Sequence, residues 1–197
     1  MHPTRLILAS QSPRRRELLT QAGFTFDILP ADIDETRLPN EDPATYVQRL
    51  ALEKARTLQT RHPHATILGA DTTVVLNGTV LNKPTDIADA ERMLRALSGN
   101  THQVHTGVAV VSPTKQLQHL ETTSVFLTPI PEADLAHYLA TGDSLDKAGA
   151  YGIQGYASRW VRRIEGDYFN VMGLPIATTV ALLNQVVEKT STTPPAR

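Results

Sequence analysis

Ser10-Gln11-Ser12-Pro13-Arg14-Arg15-Arg16 puts two hydroxyls and three guanidinium groups at what reads as a strand-to-helix turn. Free backbone N–H groups, the positive end of a helix dipole and guanidinium forks together make an anion site. Three arginines in a first helical turn also oppose that dipole. They cost stability unless a carboxylate or a bound anion offsets them, and otherwise form a solvated basic face. A second cluster, Gly69-Ala70-Asp71-Thr72-Thr73, sets a carboxylate inside an otherwise apolar strand. A buried aspartate needs a partner, and a metal ion, a lysine or a backbone donor would each serve. Asp32, Asp34 and Glu35 occupy an earlier acidic loop. With Asp71 they supply enough hard oxygen donors for Mg²⁺, although acidic loops are commonly just solvated. Lys54 and Lys83 are either ordinary surface lysines or, with Arg14 and Arg15, cations for a polyphosphate whose charge grows as phosphorus is attacked.

Other chemistries lack their signatures. No glycine precedes a lysine, so there is no Walker A loop, and no Gly-x-Gly-x-x-Gly, His-Glu-x-x-His or Gly-x-Ser-x-Gly pattern occurs. Gly149, Gly152 and Gly155 recur every three residues, which suits a tight backbone path beside a ligand or a plain loop. His102 and His105 have no neighbours to complete a ligand set and read as structural strand residues. With no cysteine there is no disulfide framework, thiol nucleophile or thiolate metal site, which fits a reducing cytoplasm.

The elements that must position these groups are legible from local signals. Arg5–Ala9 reads as a strand, Ser12-Pro13 as the cap of a helix running to Ala22, and Phe24–Leu29 as a second strand. Asp42-Pro43 restarts a helix whose Val47, Leu50, Ala51 and Leu58 keep helical spacing until His62-Pro63. β-Branched residues fill 66–76, and Asn77-Gly78 turns that strand into Thr79–Leu81. A helix from Asp86 to Leu97, strands over 102–111 and 116–127, a helix over 131–140, a strand over 160–164 and a helix from Pro175 to about Val187 complete the order. Alternating strands and helices around a pair of long strands predict an α/β fold with a mixed sheet.

The 197 residues carry 41% hydrophobic and 20% charged side chains, with a formal net charge of −1. That composition is globular, and its charge supplies no global field toward nucleic acid or an anionic membrane. No apolar run spans a bilayer, and Met1–Leu8 lacks the form of a signal peptide, so the expectation is an intracellular protein. A single unit over 1–189 with a frayed tail at 190–197 is expected.

Leu8-Ala9-Ser10-Gln11-Ser12-Pro13-Arg14-Arg15-Arg16-Glu17-Leu18-Leu19 resembles the N-terminal signature of the Maf family of nucleoside triphosphate pyrophosphatases. Glu53-Lys54-Ala55, Gly69 to Val75 through Lys83-Pro84, and Asp146 to Gly155 with Asn170-Val171-Met172-Gly173-Leu174-Pro175 follow the same pattern in order. The resemblance implies an inosine triphosphatase-like fold, with a mixed sheet and two lobes around a central cleft, often as a homodimer. It also implies cleavage between the α- and β-phosphates with a divalent metal, Mg²⁺ or Mn²⁺. Carried over, Asp71 is the proton acceptor and metal ligand, Glu35 a further metal ligand, and Lys54 and Lys83 catalytic cations. Ser12, Arg14 and Arg15 bind phosphate, while Arg14, Thr72 and Gln154 set base choice in the manner of the branch acting on dTTP and UTP. A non-catalytic nucleotide-binding regulator of septum formation and a nucleotidyltransferase are the competing readings. Gln11 and Met172 depart from the residues usual in the family, and neither is a proposed catalytic group.

Overall fold

The computed structural model describes residues 5–187. The tail expected over 190–197 and the end of the expected 1–189 unit lie outside them. In chain order the elements begin with β1 (Leu6–Leu8), α1 (Pro13–Gln21), β2 (Asp27–Ile28), α2 (Pro43–Arg61), β3 (Thr66–Leu76) and β4 (Thr79–Leu81). Next come α3 (Ile87–Leu97), β5 (Thr101–Val111), β6 (Gln116–Leu127), α4 (Glu132–Ala140) and 3₁₀ turns at Ala148–Ala150 and Tyr156–Trp160. The chain closes with β7 (Val161–Glu165), α5 (Tyr168–Met172) and α6 (Ile176–Val187).

Local chemistry sets the boundaries. The Ser12 hydroxyl accepts from the Arg15 N–H at 3.5 Å, and Asp42 accepts from the N–H groups of Ala44 and Thr45. Each cap is followed by a proline that has no N–H to lose at the first helical position. Asn77 and Gly78 both have positive φ, 49° and 78°, as a primed hairpin turn between β3 and β4 requires.

Among the described residues one mixed sheet of seven strands runs β2-β1-β3-β5-β6-β7, with β4 on β3. The three strands β2, β1 and β3 are parallel and the remaining pairings antiparallel. Side chains alternate between two cores. Ile7, Ala9, Ile67, Ala109 and Val111 meet Ala51, Ala55 and Leu58 of α2. Leu8, Leu68, Ala70, Val74, Val104 and Val108 face the opposite way, into a larger core shared with α1, α3, α4 and α6.

The register also makes an opening. One edge of β3 is occupied by β5 from Ile67 to Val75, so β1 and β4 must share the other edge. There β1 pairs with Thr66–Leu68 and β4 with Val74–Leu76, which leaves Gly69–Thr73 without a strand partner on that side. A cleft forms at this interruption.

Two expectations differ from what is found. Only Asp27 and Ile28 of the expected strand 24–29 join the sheet, because their sole neighbour, β1, is three residues long. Phe24 and Phe26 pack instead against the larger core. No helix is expected between the strand over 160–164 and Pro175, yet α5 forms there, capped by Asp167, which accepts from the Phe169 N–H at 2.7 Å.

Candidate active site

Asp71 and Thr72 sit in the unpartnered stretch of β3 and, being consecutive, point to opposite faces of the sheet. The cleft around them has a volume of about 890 Å³. Its walls include every residue to which the family resemblance gives a role: Ser12, Arg14, Arg15, Glu35, Lys54, Asp71, Thr72, Lys83 and Gln154. Of the other acidic-loop residues Asp32 also lines it, whereas Asp34 does not and accepts instead from the Thr36 N–H at 2.8 Å.

On the α2 face, the Lys54 ammonium contacts Asp71 Oδ1 at 2.7 Å and Glu35 Oε1 at 2.8 Å. Of the partners open to Asp71 in sequence, a lysine contacts it directly. Helical spacing brings it there, since Ala51, Lys54, Ala55 and Leu58 share one buried face of α2. Glu35 is steadied by its loop. Tyr46 Oη donates to the Glu35 carbonyl at 2.9 Å, and Arg49 ties α2 to Glu41 at 2.6 Å and to the Thr36 carbonyl at 3.1 Å. The Arg49 guanidinium holds the Glu41 carboxyl below the usual carboxylate range. Burial pushes the Asp71 carboxyl above that range, with the charges of Lys54 and Arg15 opposing the shift.

On the other face, Arg15 is anchored by three bonds. Its Nε donates to the Gly173 carbonyl at 2.8 Å, Nη1 to Ser10 Oγ at 3.2 Å and Nη2 to Thr72 Oγ1 at 2.9 Å. Thr72 Oγ1 lies 2.9 Å from Thr106 Oγ1, which in turn donates to the Asn170 carbonyl at 3.2 Å. Asn170 Nδ2 donates to the Val104 carbonyl and to Thr123 Oγ1, so α5 is fastened under β5 and β6. Burial lowers the Arg15 pKa while the Asp71 carboxylate opposes that shift. Five donors on a planar fork leave Arg15 with N–H groups beyond those three bonds.

The conflict between basic residues and the start of α1 is resolved case by case. Arg14 pairs with Asp146 at 3.2 Å, Arg15 takes neutral acceptors, and Arg16 is exposed. Asp146, Asp143 and Lys147 line the cleft without having been assigned roles from sequence. Lys147 bonds Asp146 Oδ1 at 2.6 Å and the Asp143 carbonyl. Nothing local marks Asp146 as the partner of a residue 132 positions away. Gln154 is exposed on the cleft wall, and Thr72 is half-buried.

Both histidines are structural, as expected. His105 Nδ1 lies 2.8 Å from Thr122 Oγ1, and His102 Nε2 lies 2.7 Å from the Tyr151 hydroxyl. Burial pushes His102 down to about 4. The folded protein therefore binds fewer protons at this site than the unfolded chain between pH 6.5 and 4. The stability involved is fully present above pH 6.5 and is lost as pH falls toward 4, by about 3 kcal/mol. Denaturant titrations at pH 7.5 and 4.5 are expected to show a smaller acid loss in His102→Gln than in the wild type. Equal losses would exclude His102 as the source.

The donor chemistry suits a hard divalent cation. Each of Glu35 and Asp71 has a second carboxylate oxygen to offer, and Mg²⁺ characteristically takes one or two carboxylates with substrate phosphates completing its shell. Among the described residues no group of three acidic or imidazole ligands converges, so the protein alone does not provide a full cage.

Comparisons with known proteins agree with the geometry. The model of the family described as Maf-like protein matches residues 5–186. A dTTP/UTP pyrophosphatase of Koribacter versatilis is 51% identical over 180 residues, covering 91% of this chain and 93% of that protein. One of Shewanella denitrificans is 50% identical over 194 residues, covering 94% of this chain and 98% of its own length. A solved HAM1 protein from Coxiella burnetii shares the fold with a TM-score of 0.55 and 16% identity, over 93% of this chain and all of that one. The expected inosine triphosphatase-like architecture is thus the one found.

Proposed function

The chain belongs to the Maf family, and from that premise we propose that it hydrolyses dTTP and UTP to the nucleoside monophosphate and pyrophosphate. One observation carries the reading. Asp71 and Glu35 converge on Lys54 Nζ in the same cleft that Arg14, Arg15 and Lys83 line, so a carboxylate able to accept a proton stands among cations able to hold a polyphosphate. A carboxylate held against a lysine has no evident use in a module that only binds an anion, because it weakens that binding. The regulator of septum formation accordingly gains no support, and neither do relatives named for a pyrophosphatase reaction favour it.

Arg14, Arg15 and Lys83, with Ser12 at the start of α1, receive the phosphate chain and fix it along the unpartnered edge of β3. Asp71 takes a proton from the attacking water as the new P–O bond forms and the bridging P–O bond between the α- and β-phosphates breaks. Both products remain on cations that neutralise the charge appearing on pyrophosphate. Glu35 and Asp71 would hold a divalent cation, which would supply further charge neutralisation for the phosphates. Arg14, Thr72 and Gln154 discriminate the base. The Gln154 amide offers both a donor and an acceptor, which matches the O4 and N3–H edge of uracil and thymine.

The same reading extends to modified pyrimidine triphosphates, as house-cleaning of a cytoplasmic nucleotide pool by a homodimer. Among the described residues no helix is long and apolar enough to cross a membrane. The test is a panel of natural and modified nucleoside triphosphates with Mg²⁺ or Mn²⁺, scoring pyrophosphate and orthophosphate separately. Pyrophosphate with monophosphate, fastest from dTTP and UTP, is the expected outcome. Transfer of the nucleotide to a second substrate would establish the nucleotidyltransferase instead, and binding without turnover the regulator.

A further inference from the structure

The Lys54 ammonium stands where a cation shared by Glu35 and Asp71 would stand. It reaches Glu35 Oε1 at 2.8 Å and Asp71 Oδ1 at 2.7 Å, and its own side chain is 9% exposed. Asp71 is almost as enclosed, whereas the Glu35 side chain is 57% exposed and open to the cleft. Two carboxylates brought this close repel each other unless a positive charge lies between them, and here a lysine provides it. A divalent ion entering the same space would meet that ammonium at short range. We propose that Lys54 is a resident counter-ion for the pair Glu35 and Asp71, which keeps free divalent metal out until a nucleotide arrives.

The nucleotide changes the balance because its phosphates are themselves acceptors for an ammonium. Lys54 has a flexible four-carbon stem and three donors, so it can turn from the carboxylates to a phosphate oxygen without any movement of α2. Glu35 and Asp71 are then left with uncompensated negative charge at the moment a cation arrives with the polyphosphate. Metal and nucleotide therefore bind together, and neither carboxylate is committed to metal in the resting protein. The same displacement frees Asp71 Oδ1 from its 2.7 Å contact, which couples exposure of the proton acceptor to the presence of substrate.

This inference rests on Glu35 and Asp71 being the metal-holding pair, and the experiment separates the two. Equilibrium dialysis against Mn²⁺, with no nucleotide present, is read as bound metal for the wild type, Lys54→Met, Lys54→Gln and Lys54→Met/Glu35→Gln. Circular dichroism verifies the fold of each. The wild type is expected to bind Mn²⁺ weakly, and both single variants at least about tenfold more tightly. The double variant is expected to return to the weak level. If neither single variant gains affinity, Lys54 is not a counter-ion barrier and the proposal falls. If the gain appears and survives Glu35→Gln, the ion is held elsewhere and the assignment of Glu35 falls, taking this inference with it. Tight binding to the nucleotide-free wild type would overturn the exclusion directly.

Discussion

Asp71→Asn is expected to lower kcat by about 10²–10⁴-fold while leaving the affinity for a non-hydrolysable UTP analogue unchanged or tighter. Amide and carboxylate have the same shape, so the substitution removes the proton acceptor without opening a cavity in β3. It also removes a negative charge from a cleft that receives an anion, which is why binding measured without divalent metal, where the role of Asp71 in holding the cation does not enter, should not suffer. Lys54 retains Glu35 at 2.8 Å, so the ammonium is not left buried and unpaired. The wild-type pH profile gives an independent reading of the same group. A base must be deprotonated to act, so kcat/KM falls as pH drops through its pKa. Burial raises that pKa from 3.8, which moves the acid limb above the range of an ordinary aspartate. Single-turnover kinetics and calorimetry together decide the matter. Undiminished turnover in Asp71→Asn would remove Asp71 from the chemistry, and lost binding would make it a binding residue.

What could be read of this arrangement in advance depended on distance along the chain. The strand 66–76, the hairpin at Asn77-Gly78 and the helix after Asp42-Pro43 are specified by side chains within a few residues of each boundary, and they form where expected. α5 escaped because five residues are too few to show a helical period, although Asp167 and Gly173 bracket it as cap residues. The site divides in the same way. That Asp71 required a partner followed from a carboxylate in an apolar strand. That the partner is Lys54, 17 residues earlier, depends on how α2 lies across β3. Asp146 as the counter-charge of Arg14, and Thr106 as the hydroxyl beside Thr72, arise only from tertiary pairing. The opening at Gly69–Thr73 is a property of two strand registers together, which no single segment encodes.

The seating of α2 on the sheet leads to the largest stability effect expected of a single methyl group, in Gly69→Ala. A Cβ at residue 69 would lie 2.1 Å from the Ala51 carbonyl oxygen and 3.1 Å from the Ala55 nitrogen, both backbone atoms of α2. Relief requires the helix to retreat by about 1 Å, since no side chain can rotate away and interiors have little free volume. Overpacking of this kind costs about 1–3 kcal/mol and more where the obstacle is backbone, out of a total stability of about 5–15 kcal/mol. For a chain of this size a 3 kcal/mol loss corresponds to a fall in Tm of about 6–12 °C. Activity should fall with it, because the retreating segment carries Lys54. Gly107 provides the second seat. It stands opposite Asp71 in the β3–β5 ladder, and a Cβ there would lie 2.3 Å from the Val47 carbonyl oxygen. Gly107→Ala is therefore expected to lower Tm by a similar amount, and the double variant to stay unfolded at 37 °C. Thermal melts of the three variants provide the test, and an unshifted Tm in either single variant would show that α2 is not held by these two contacts. The two glycines thus serve the chemistry without touching a substrate: they let α2 approach closely enough for Lys54 to reach Asp71, and a methyl group at either position would undo that approach.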